Sequence, residues 1–199
     1  MLRDSPVWLV SVTAVARGWV TRARITSAYF RLSARPVDQS LAAVPADPAA
    51  REARRRQAVA GAYRLRRADR PLVTIAAMGA IIPEALTAAE RLDAAGIPAD
   101  VICVTSPSLL FRALLARQGQ AQAPDWILNQ AFPASRATPL ITVLDGHPHT
   151  LAFLATVNQV PSVTLGVTRF GQSGALPEVY RYHGIDTDSI VRAAADLIG

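Results

Sequence analysis

From Gly61 onward, short unbroken apolar runs alternate with longer segments in which apolar residues return every three or four positions. Runs of the first kind read as strands buried on both faces, and segments of the second as helices with one buried stripe. Ala62–Arg66 predicts a short strand, and Ala68–Pro71 a turn into the β-type run Leu72–Met78. So tight a connection predicts that the two strands pair antiparallel. Pro83 opens a helix over Glu84–Ala95 that Gly96 closes, and Asp100–Val104 is the next strand. Pro107 opens Ser108–Arg117, with Gly119 past its end, and Ser106 reads as its N-cap. An irregular stretch around Trp126 and Phe132 leads to the strand Leu140–Leu144. Pro148 then opens a helix over His149–Val157, and Ser162–Val167 is a further strand. Strands alternating with helices in this way predict a three-layer α/β domain. Its five-stranded sheet is mainly parallel with one antiparallel strand, and helices cover both faces.

The densest run is Leu165–Leu197. After the strand end it holds a loop around Phe170, Gly171 and Gly174, then a short helix carrying Tyr180, Tyr182 and His183. Gly184 stops that helix and Asp186 caps a final amphipathic one. Before Gly61 the pattern loses its period. Ala28–Leu32 is strand-like, Pro36, Pro45 and Pro48 punctuate an alanine-rich linker, and Ala49–Val59 is a charged helix-former within a connecting segment. The expected organisation is an unmatched leader (1–27), a connecting segment (28–60) and a domain (61–199).

Composition adds a charge asymmetry. All 21 basic residues are arginine, and residues 1–70 hold 14 of them against 5 acidic residues, whereas 71–199 hold 7 against 10. A basic leader can bind nucleic acid, but no aromatic interleaving or reading helix accompanies this one, so a solvated arm is expected and no nucleic-acid partner. No apolar stretch approaches the ~20 residues of a membrane span, so none is expected there either. Val7–Ala16 followed by Arg17 has something of a secretory leader. Its preceding Arg3 and Asp4 cancel, however, and the single Cys103 sits in an apolar run rather than a disulfide framework. A cytoplasmic protein is expected.

Ligands of open parallel sheets gather beyond the carboxyl ends of the strands. Those ends carry Gly79-Ala80, Thr105-Ser106, Asp145-Gly146-His147-Pro148-His149 and Thr168–Gly174. Asp145, His147, His149, Arg169, Gln172, Ser173 and His183 thus form a candidate contact or anion rim. Two imidazoles beside Asp145 could ligate a cation, but no third group stands at a recognised spacing, and the plainer reading is a strand-end turn. Arg169 with the glycine loop could hold an anion; otherwise the glycines turn the backbone sharply and Arg169 pairs with an acidic neighbour. Ser106 has no histidine placed to activate it. His183 suits a helix C-terminus, and Tyr180 and Tyr182 suit a core or an interface.

Three stretches carry a resemblance: GAYRLRRADRPLVTIAAMGA (61–80), ADVICVTSPSLLF (99–111), and the region from Val143 to Leu197 with DGHPHTLAFLA, LGVTRFGQSG and YRYHGIDTDSIV. Together they resemble the C-terminal domain of the transketolase superfamily, and within it the homodimeric first component of the pyruvate dehydrogenase complex. Ala28–Gln39 looks like the last strand and exit linker of that family's preceding domain. The resemblance implies a thiamine-diphosphate enzyme that oxidatively decarboxylates pyruvate and passes the acyl group to lipoamide. In that family the cofactor is held by two upstream domains. One has a Gly-Asp-Gly motif and a downstream Asn that ligate Mg²⁺; the other has a glutamate that activates the aminopyrimidine. This sequence has no Gly-Asp-Gly, since Leu144 precedes Asp145-Gly146, and Glu52, Glu84, Glu90 and Glu178 lie in helix or linker contexts. No catalytic, cofactor-binding or metal residue carries over. The resemblance thus implies a structural portion, inactive alone and binding no cofactor by itself. Its expected partners are the upstream cofactor domains and, through exposed apolar surface, a second copy. A free-standing anion- or nucleotide-binding α/β module is the alternative.

Overall fold

The computed structural model describes residues 36–199; the strand-like piece Ala28–Leu32 and the leader lie outside the described residues. Five strands, β1 (Ala62–Arg66), β2 (Val73–Met78), β3 (Ala99–Val104), β4 (Leu140–Leu144) and β5 (Ser162–Leu165), form one sheet in the order β1-β3-β2-β4-β5. β2, β3, β4 and β5 are parallel, and β1 runs antiparallel to β3. The predicted α/β class and the single antiparallel strand are therefore found. The pairing of that strand is not: β1 lies against β3, with Ala62 opposite Val104, and not against β2. β1 does run opposite to β2, but β3 sits between them.

The helices are α1 (Pro48–Ala60), α2 (Ile82–Ala94), α3 (Pro107–Arg117), α4 (Trp126–Ala131), α5 (His149–Ala152), α6 (Leu176–His183) and α7 (Thr187–Ile198). Successive strand residues point to opposite faces, so the fully buried β2 serves two cores. Val73, Ile75 and Ala77 meet α2, α6 and α7 through Ile82, Ala85, Ala89, Tyr180, Ile190 and Ala194. Ala76 and Met78 meet α3, α4 and α5 through Leu110, Leu114, Ile127, Leu128 and Leu151. β5, at the edge, is only half buried.

Three local expectations are corrected. The stretch around Trp126 and Phe132 is not irregular, because Ile127, Leu128 and Ala131 turn α4 onto the second core and a 3-10 turn, Ala134–Arg136, follows. The helix expected over His149–Val157 is α for four residues and then 3-10 over Phe153–Val157. Ser106 occupies the N-cap of α3 but makes no side-chain cap bond; its Oγ lies 3.4 Å from Ser108 Oγ. The charged helix-former expected over Ala49–Val59 is found as α1. α1 is capped by Asp47, whose side chain accepts from the Ala50 amide (2.7 Å), and the Arg54 guanidinium lies over the Tyr63 ring. Gly61, at φ +126°, then turns the chain into β1 and accepts from the amides of Thr105 and Ser106. Ahead of α1, Val37, Leu41 and Val44 pack against the first core.

Candidate functional site

At the carboxyl ends of the parallel strands, the chain leaving β5 crosses the chain leaving β4. The Val167 amide donates to the Gly146 carbonyl (2.8 Å). A Cβ on Gly166 would stand 2.6 Å from that carbonyl oxygen and 2.9 Å from the Pro148 nitrogen. Only glycine fits there, and the exits of β4 and β5 are closed against each other by backbone. Asp145 folds back on the end of β2: its Oδ1 would be 2.9 Å from a Cβ on Gly79, which holds φ +85°.

The sequence-predicted rim residues fall into two groups. His147 and His149 are exposed, their rings 4.5 Å apart with the two Nδ1 atoms in contact, and the His149 amide lies 3.4 Å from His147 Nδ1. They stand just beyond the Asp145 turn. On the other side, the Arg169 guanidinium lies 5.6 Å from the centre of the Tyr182 ring, which meets His183 edge-on. Arg169 therefore stacks on an aromatic face instead of pairing with an acidic neighbour. Gln172 and Ser173 are exposed on the loop between, and Phe170 projects into solvent at 97% exposure. The chain bends at Gly174, but neither Gly171 nor Gly174 is among the residues with positive φ, so the bend does not use the left-handed conformation that favours glycine. Gly184 does hold φ +66° and ends α6. Tyr180 is core and Tyr182 is exposed. His183 Nδ1 is buried without a hydrogen-bond partner among the described residues.

Asp145 and the histidine pair offer three groups, but no cluster of three or more His, Cys, Asp or Glu that could hold a metal ion occurs among the described residues. Glu52, Glu84, Glu90 and Glu178 all lie on helices, in α1, α2, α2 and α6. No described helix is long and apolar enough to cross a membrane.

Sequence reasoning missed a polar cluster at the opposite, amino-terminal ends of the strands. Asp100, the second residue of β3, is fully buried. It accepts from Arg64 on β1, from Arg136 through Nε (3.2 Å) and Nη2 (3.0 Å), and from the Ala68 amide (2.8 Å). Arg64 also donates to the Ala131 carbonyl (2.8 Å) and Arg136 to that of Ala68 (2.6 Å). A carboxylate opening an otherwise apolar strand, in a chain rich in arginine, was the available signal. A buried charge needs a partner.

Comparison with known proteins places this geometry. The model of the transketolase-like TK C-terminal domain family matches residues 61–186, more than half of the chain. Among solved structures, a split gene transketolase described as an inactive beta4 tetramer is similar with a TM-score of 0.52 at 23% identity, covering 70% of this chain and 41% of that one. Transketolase from Campylobacter jejuni gives 0.52 at 19% identity, covering 68% of this chain and 18% of that one. Transketolase from Leishmania mexicana gives 0.54 at 20%, covering 71% and 18%. Likeness at such identities shows the fold, and this chain spans about two fifths of the first of these structures and under a fifth of the other two. No curated protein matches it.

Proposed function

The chain belongs to the transketolase-like C-terminal domain family, and on that premise we propose that it is a structural, assembling portion of a thiamine-diphosphate enzyme. It docks to the domains that carry the cofactor and has no turnover alone. The observation that carries this reading is the rim itself: strand ends sealed by backbone at Gly146 and Gly166, beside a loop that offers Phe170 to solvent. A sealed rim with a projecting aromatic suits a contact surface better than a substrate pocket.

The reaction served is the oxidative decarboxylation of pyruvate with acyl transfer to lipoamide, by the resemblance of the 99–111 and 143–197 stretches to pyruvate dehydrogenase first components. Thiamine diphosphate and Mg²⁺ are held by the partner domains, residues 28–60 lead from them, residues 61–199 are the docking domain, and the compartment is the cytoplasm. A second reading, a transketolase reaction, is favoured by the names of the similar structures. The split gene transketolase, an inactive tetramer, is a precedent for a part that associates with itself without activity.

The test mixes this chain with the cofactor-binding portion of a pyruvate dehydrogenase first component, and in parallel with that of a transketolase. Binding is followed by sedimentation and turnover by pyruvate-dependent ferricyanide reduction or by ketose transfer. Restored pyruvate turnover, weakened by Phe170→Ser, supports the reading, and restored ketose transfer supports the second. Turnover by this chain alone, or no association with either portion, refutes the docking role.

A further inference from the structure

The amino-terminal polar cluster opens on a small recess lined by Arg64, Arg136, Thr74, Thr138 and Asn158, with Phe132 and Leu154 among its apolar walls. It lies between the ends of β2, β3 and β4 and the turns that come after α4 and α5, across the sheet from the rim. Its charges do not cancel. Two guanidiniums, each with a side chain only 14% exposed, share one carboxylate, that of Asp100. Burial pulls the Arg64 guanidinium below its ordinary range. The Asp100 charge opposes this, and the charges of Arg136 and Arg67 add to it. A positive charge left over in a poorly solvated place favours an anion.

Donors are left over too. Arg136 spends Nε and Nη2 on Asp100 and the Ala68 carbonyl, and its Nη1 has no acceptor among the described residues. Arg64 uses Nη1 and Nη2 and leaves Nε without an acceptor among them. The hydroxyls of Thr74 and Thr138 lie 2.8 Å apart; one donates to the other, so one hydroxyl hydrogen remains. Asn158 gives one amide hydrogen to the Phe132 carbonyl (3.1 Å) and keeps the second. No carboxylate lines the recess among the described residues, and the oxygens of the adjoining Asp100 are already engaged by the two arginines and the Ala68 amide.

We propose that this recess binds a small oxyanion of the phosphate class, free or carried on a metabolite, bridged by the Arg64 and Arg136 guanidiniums with Thr138 and Asn158 completing its hydrogen bonds. Paired arginines with hydroxyl and amide donors suit a tetrahedral oxyanion, which accepts on several oxygens at once. The site stands apart from the docking rim and does not depend on the function proposed for it.

The test titrates the full chain with inorganic phosphate at constant ionic strength, reading ³¹P line broadening and the melting temperature, with acetate as comparison. Saturable broadening is expected. At a hundredfold excess over Kd, the melting temperature should rise by about 5–11 °C. Arg136→Gln should weaken binding at least tenfold, while Arg112→Gln, exposed on α3, should leave it unchanged. Should Arg136→Gln fail to fold, Thr138→Val decides, with an expected weakening of threefold or more. No saturable response overturns the proposal, as do equal stabilisation by acetate, an equal effect of Arg112→Gln, and an inert Thr138→Val. Binding of phosphate but not of a phosphorylated metabolite such as ribose 5-phosphate limits the ligand to the free ion; binding of both admits the carried group.

Discussion

Asp100→Asn should be among the most destabilising isosteric changes in the described domain. The wild-type carboxylate has no exposure and accepts from two guanidiniums and the Ala68 amide. Asparagine keeps the shape and one accepting oxygen, but it removes the charge and turns an amide donor toward guanidinium donors. Two guanidiniums are then left poorly solvated with no counter-charge, a loss of about 3–5 kcal/mol for a broken buried pair. At about 2–4 °C per kcal/mol for a chain of this size, the melting temperature should fall by roughly 6–20 °C. The control is Asp188→Asn, which breaks the exposed Arg91–Asp188 pair (2.5 Å) between α2 and α7. Both of those side chains are more than half exposed, so water and salt screen the pair, and the expected cost is small and shrinks with added salt. Urea unfolding of both variants at low and high salt separates the cases. If Asp100→Asn stays within 1 kcal/mol of wild type, the cluster does not hold β1, β3 and the 134–136 turn together as argued. Replacing all three members by apolar residues of similar volume (Arg64→Met, Asp100→Leu, Arg136→Met) should recover much of the loss, since no buried charge then remains.

The remaining expectations concern a buried thiol, two glycines and a helix cap. Burial, partly offset by a hydrogen bond with Tyr63, pushes the Cys103 thiol from 9.0 up to about 11. The folded state then holds this proton more tightly than the unfolded one between those values. Stability should fall by roughly 2–3 kcal/mol as pH rises from 9 to 11, a loss reduced in Cys103→Ala and read by denaturation at several pH values. Under native conditions at pH 8 the thiol should resist Ellman's reagent until the chain unfolds. Gly166→Ala should cost about 1–3 kcal/mol or prevent folding, because its Cβ would meet the Gly146 carbonyl at 2.6 Å. Gly96→Ala, at φ +78° with open space around it, should cost only the backbone strain of about 1–2 kcal/mol, and thermal melts of the two separate collision from strain. Asp186→Ala removes the cap that accepts from the Ser189 amide (3.3 Å) and should destabilise α7 by about 1 kcal/mol, seen as faster amide exchange in its first turn.

What the sequence determined by itself was what depends on neighbours a few positions apart. β1 and β4 fall where their apolar runs place them, and Gly96, Gly184 and Asp186 end or begin helices as their chemistry requires. Periodicity also announced the two-sided burial of β2 and β3, and with it helices on both faces. The family motifs were legible for the same reason, being contiguous. Strand order was decided in three dimensions. The connection from β1 to β2 is six residues long, enough at ~3.3 Å each to step the ~10 Å past an intervening strand. What draws β1 to β3 are bonds between distant positions: Gly61 with Thr105 and Ser106, Arg66 with the Ala99 carbonyl (2.6 Å), and Arg64 with Asp100. No local pattern records these. The rim was legible as a list of polar residues, but tertiary packing set its character. Only the crossing of the β4 and β5 exits closes it with backbone, and only the placing of Tyr182 gives Arg169 an aromatic partner. The Arg64–Asp100–Arg136 cluster spans 73 positions of sequence, and its surplus charge emerged only when folding carried all three groups out of water.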